Sequence, residues 1–141
     1  MKHARVACMS LLSLPVGLLA LGAAANDKPA HDSGAALMGS TTFKTFCASC
    51  HGKTARGDGP LAEHLRFVPP DLTRIAKRNG GTFDAEKVAK IIDGRQAVKG
   101  HGGSDMPVWG DAFLRSREGY DAAKVKEKIG ELVHFLASLQ E

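Results

Sequence analysis

The 141-residue chain has only three cysteines, which leaves room for one disulfide at most. Aromatic residues are also few, at 6%, with one tryptophan and one tyrosine, so the core this chain builds by itself is small. No segment alternates apolar and polar residues over the length of a strand, which excludes a sheet as the main layer. There are no internal repeats, and the length suits one domain. The turn cluster Arg56-Gly57-Asp58-Gly59-Pro60 lacks the lysine–serine ending and the strand–helix setting of a phosphate loop, which removes nucleotide binding. Charge of neither sign dominates: the formal net charge is +4 at pH 7. Such a balance points neither to nucleic acid nor to strong electrostatic capture by a membrane.

One long apolar run is present, and it lies at the start. Lys2 and Arg5 precede an apolar stretch from Val6 to Leu21, broken by Pro15, and Ala23-Ala24-Ala25 supplies small residues for cleavage before Asn26. These are the three marks of a secretory signal peptide over residues 1–25, with an uncleaved membrane anchor as the alternative. Cleavage would remove Lys2 and Arg5 and no acidic residue, lowering the net charge from +4 to +2. Cys8 would leave with it, so that Cys47 and Cys50 are the cysteines of the mature chain. Residues 26–38 are small and polar and read as a flexible lead, with His31 solvated. Residues 39–141 make up the folded domain.

Within that domain Cys47-Ala48-Ser49-Cys50-His51 carries the chemistry. A C-x-x-C-H run is the spacing at which two thiols on one side of a helical turn meet the vinyl groups of a porphyrin. The adjacent His51 then reaches the iron as an axial ligand. Three other readings compete. A thioredoxin-like dithiol belongs at the head of a helix in a βαβ unit, and no strand pattern precedes Cys47. A structural zinc site wants a fourth ligand, and there is no second cysteine pair. A plain disulfide suits an exported chain, although a two-residue gap in a helix holds the sulfurs poorly for the required dihedral.

The elements around the motif read as helix and loop. A first helix is expected from Gly39 or Ser40 to Ala48, with Phe43, Phe46 and Cys47 near one face. Residues 52–72 read as loop, with a helical turn within Leu61–Phe67 and His64 exposed. A short helix is expected over Leu72–Lys77. Another starts near Thr82 or Asp84, buries Val88, Ile91 and Ile92, and stops at Gly94. Residues 95–110 form a glycine- and proline-rich segment carrying His101 and Met106-Pro107-Val108-Trp109. Met106 in this setting reads as a thioether ligand for the open face of the iron. Trp109 is either a porphyrin-rim contact or plain core. The last helix follows Asp121, with Val125, Ile129, Leu132, Leu136 and Leu139 spaced four, three, four and three. Gly130 interrupts it for no reason visible in the pattern, and His134 falls on the solvated face.

Over residues 39–141 these features resemble the class I c-type cytochromes. In that family a glycine and an aromatic stand eight and four residues before the first haem cysteine, as Gly39 and Phe43 do before Cys47. Their partners on the last helix match Leu132 and Phe135. The family's proline–x–leucine is similar to Pro70-Asp71-Leu72, with Pro60 as the alternative proline, and its axial methionine matches Met106. The resemblance implies an all-α, cytochrome c-like fold in which N- and C-terminal helices cross around one haem c. That haem would be bound covalently through Cys47 and Cys50, with His51 and Met106 as the metal ligands. It further implies a periplasmic one-electron carrier that is not an enzyme. It would be a monomer, free of nucleic acid and, once the signal is cleaved, of membrane. Redox partner proteins would meet it at the exposed haem edge, with Lys44, Lys53, Arg56 and Lys99 as candidate rim charges. Two alternatives stay open: a haem c subunit or docking module of a larger periplasmic oxidoreductase, and a ligand sensor or enzyme whose sixth ligand is displaceable, with His101 able to replace Met106.

Overall fold

The computed structural model describes residues 33–96 and 106–141. The expectations for the signal peptide, His31, Lys99 and His101 lie outside them. Among the described residues the chain is helical and has no strand. The helices are α1 (Ser33–Phe46), α2 (Ala48–His51), α3 (Ile75–Arg78), α4 (Ala85–Asp93), α5 (Trp109–Leu114) and α6 (Ala122–Ser138). Two 3-10 turns, Ala62–His64 and Leu72–Arg74, punctuate the stretch between α2 and α3. No helix among the described residues is long and apolar enough to cross a membrane.

The frame is the packing of α1 on α6, the most extensive contact between any two elements. Side chains recurring every three to four positions put Val125, Ile129, Leu132, Val133 and Leu136 of α6 in the core. Helix α1 contributes Gly39, Thr42 and Phe43. Phe43 and Leu132, both 1% exposed, are the largest fully buried side chains. Gly39 is the point of closest approach: a Cβ there would overlap the Glu131 carbonyl and come within 2.9 Å of the Phe135 Cβ. One turn on, the Phe43 and Phe135 rings pack tilted, with centroids 5.2 Å apart.

Helix α1 starts at Ser33, ahead of the expected Gly39 or Ser40, so residues 33–38 are helical and not part of a flexible lead. The run Ala35-Ala36-Leu37-Met38 has high helix propensity and contains no breaker. Leu37 and Met38 extend the helix into solvent, at 68% and 55% exposure. Helix α4 follows the expected signals: Asp84 accepts the Lys87 N–H at 2.9 Å, and Gly94 closes it at φ 90°. Asp121 caps α6 in the same way, through the Lys124 N–H at 2.8 Å.

Gly130 behaves unlike Gly39. A Cβ at Gly130 meets nothing within 4 Å. Crowding therefore does not explain this glycine. Gly130→Ala should remove a backbone-entropy cost and stabilise the protein by about 0.5–1 kcal/mol, read as a higher urea midpoint at unchanged slope. An unchanged or lower midpoint would show that the glycine has a structural use.

Candidate functional site

The C-x-x-C-H residues sit at the joint between the first two helices. Cys47 is the irregular residue between α1 and α2, with φ −114°. Its N–H still bonds the Phe43 carbonyl at 2.8 Å, and its own carbonyl accepts from Cys50 and His51 at 3.1 and 2.9 Å. The backbone therefore turns helically through the motif and sets Cys47, Cys50 and His51, at i, i+3 and i+4, toward one side of the helix. Both thiols are free. His51 is 7% exposed, which is unusual for a histidine on so short a helix.

The loop after His51 folds back under it. Gly57 N–H bonds the His51 carbonyl at 2.8 Å, and Leu72 N–H bonds the Ala55 carbonyl at 2.7 Å. A side chain at Gly57, whose φ is 83°, would run into the Pro69 carbonyl. These contacts bring Pro70 and Leu72, far along the chain, to the cleft that His51 lines. Pro60, the alternative proline, is exposed and does not line it.

The cleft has a volume of about 360 Å³, within the range of small-molecule sites. Its walls are mainly apolar, with Leu72, Ile75, Val88, Ile92, Leu132 and Leu136 among them. Three of the four residues expected to hold the cofactor, Cys47, His51 and Met106, face this one cleft. Cys50, half-buried on the next turn, is not among its lining residues. Trp109 lines the cleft and is also tied into an aromatic cluster, 5.6 Å from Phe46 and 5.4 Å from Phe113 between centroids. It therefore serves both as wall and as core. At the mouth stand Arg78 and Lys87, with Asn79 and Asp84. Arg78 Nη1 donates to the Asp71 carbonyl at 2.7 Å.

This set of side chains fits a haem. No group of three or more His, Cys, Asp or Glu gathers as a metal-ion site among the described residues. An imidazole and a thioether facing one apolar cleft are too few to hold a bare ion, but they would suit an iron that brings four porphyrin nitrogens of its own. Among the described residues the zinc reading finds no such ligand set either. Burial first, then the neighbouring Cys50, pushes the Cys47 thiol up to about 12. A dithiol redox centre requires the opposite shift.

Several side chains that shape the site carry no sequence signal. Gln140 clamps the C-terminus onto the cleft wall. Its amide donates to the Leu72 and Leu136 carbonyls at 2.9 and 2.7 Å, and its oxygen accepts the Ala76 N–H at 2.9 Å. Arg56 pairs with Glu141 and lies 3.8 Å from Asp71, so this charge is engaged at the C-terminus and is not a free rim cation. Asp71 accepts from the Thr73 hydroxyl and N–H at 2.6 and 2.9 Å. These bonds, with Arg56 and Arg74 beside it, hold its carboxyl below the usual range. His64 and His134 are exposed, as expected.

The Cytochrome c family model matches residues 36–140. The chain belongs to the cytochrome c family. Its fold is the cytochrome c domain, helical, with the N- and C-terminal helices in contact, and its class implies haem-based electron transfer. Comparison with curated proteins and with solved structures returned no significant match.

Proposed function

We propose that this protein is an exported single-haem electron carrier. Its haem is attached through thioethers at Cys47 and Cys50 and is ligated by His51 and Met106. The observation that carries the reading is the convergence of Cys47, His51 and Met106, from both halves of the chain, on one mainly apolar cleft. When bound, haem iron supplies one-electron chemistry between its ferric and ferrous states. The protein's part is positional and electrostatic. His51, fixed by the turn hydrogen bonds on either side of it, would offer its imidazole nitrogen to the iron. Met106 offers a soft sulfur that favours the ferrous state and raises the potential. The apolar walls disfavour the extra charge of the ferric state, in the same direction. If His51 and Met106 both held the iron, no ligand site would remain for a substrate, and the protein would move electrons without making bonds.

Export to the periplasm rests on the signal-like residues 1–25. Redox partners would approach beside the C-x-x-C-H turn. The loop bonded to that turn, through Gly59 N–H to the Cys50 carbonyl and Leu61 N–H to the Ser49 carbonyl, exposes Leu61, Phe67 and Val68. Val68, at 81% exposure, also favours the second reading, a haem c module docked on a larger oxidoreductase, which co-purification with a larger protein would support.

The test is Met106→Ala. The variant should lose the methionine–ferric iron charge-transfer band and its reduction potential should fall. A variant that kept both would show that another group ligates the iron.

A further inference from the structure

The segment that carries Met106 is held by two reciprocal close approaches between the end of α4 and the start of α5. Gly94 ends α4 in the left-handed region, at φ 90°, with its N–H shared between the Lys90 and Ile91 carbonyls at 3.1 and 3.3 Å. A Cβ placed on Gly94 would overlap Val108 Cγ1 and stand 3.1 Å from Cγ2 and 3.2 Å from Cβ. Val108 is β-branched and stiff about χ1, so it cannot swing aside cheaply. The second approach runs the other way. A Cβ on Gly110, the second residue of α5, would overlap the Asp93 carboxylate and come within 2.8 Å of the Asp93 carbonyl oxygen. Thus each of the two glycines lets the opposite strand of chain sit against its backbone. Between Val108 and Gly110, the Trp109 ring is anchored on Phe46 and Phe113. Met106 lies two residues before Val108, with Pro107 fixing the backbone between them.

We infer that Gly94 and Val108 form a size-matched contact that positions the Met106 thioether over the iron. Gly110 against Asp93 provides a second contact of the same kind. The ligand would then be placed by packing at the α4–α5 junction. Gly94, Val108 and Gly110 are positioning residues and touch no cofactor themselves. This rests on the reading of Met106 as a ligand, and Met106→Ala separates the two claims.

The experiment uses the haem-loaded protein, with the charge-transfer band and reduction potential read alongside helix content during urea titration. Val108→Ala leaves a gap beside Gly94. It should keep the band in buffer but lose it at a lower urea concentration than its helix signal, whereas the parent should lose both together. Gly94→Ala forces a methyl into Val108 and should lose the band and lower the potential in buffer. The double variant Gly94→Ala/Val108→Ala removes the overlap with the Val108 methyls and should regain the band and part of the lost potential, although it keeps a tight 3.2 Å approach to the Val108 Cβ and the left-handed strain at position 94. If Gly94→Ala does not accumulate, Val108→Ala and the double variant still decide the matter. Val108→Ala losing band and helix together, or a double variant lacking the band, overturns the proposal. If Met106→Ala itself kept the band, the ligand reading would fail instead.

Discussion

Gly39→Ala should destabilise the protein by about 3 kcal/mol or more, although alanine is the better helix former. The added methyl would fall inside the Glu131 carbonyl and against Phe135 Cβ, so α1 and α6 would have to move apart at their crossing. Neither obstacle is the far end of a flexible side chain. Separation would also loosen Phe43 and Leu132, which line the cleft. The expected result is a large fall in the urea midpoint of the haem-loaded protein, with band and helix signal lost together. The same substitution at Gly130, in the helix that packs against Gly39, is expected to act with the opposite sign. That contrast separates crowding from propensity inside one experiment. A Gly39→Ala variant as stable as the parent would contradict the close crossing.

His51→Ala should produce the largest change at the site. The imidazole is 7% exposed and lines the cleft, and no described histidine other than His51 does. On the proposed ligation the iron would lose the one imidazole that the described residues bring to the cleft. The absorption spectrum of whatever haem-loaded protein forms should change from low-spin to high-spin, and added imidazole should restore the parent spectrum by refilling the gap. An unchanged spectrum without added imidazole would remove His51 from the iron.

Most of the frame was legible from local signals. The four-three spacing of α6, the Asp84 and Asp121 caps and the Gly94 stop each act within a few residues, and the structure places them where the sequence does. Helix α5 was missed. It spans only Trp109–Leu114, has no side-chain cap, and follows a segment whose glycines and proline argue against helix. The early start of α1 was missed because Ser40, Thr41 and Thr42 look like caps, whereas Thr41 and Thr45 bond back to carbonyls four residues earlier, at 3.3 and 3.0 Å. At the site, Cys47, His51 and Met106 stand out by type and spacing. Gln140 does not: its partners at Ala76 and Leu72 lie 64 and 68 residues away, and nothing in a glutamine near a terminus announces that reach. The fit of Gly94 to Val108 is equally silent, since the sequence shows a helix stop but not what sits against it.

Covalent attachment is most directly tested by denaturing extraction of the mature protein made in a host able to attach haem. After acid–acetone treatment the porphyrin absorbance should stay with the polypeptide, whose mass should exceed that of the bare chain by one haem. Absorbance released wholly into the acetone, or a folded but colourless protein, would contradict a haem joined to Cys47 and Cys50.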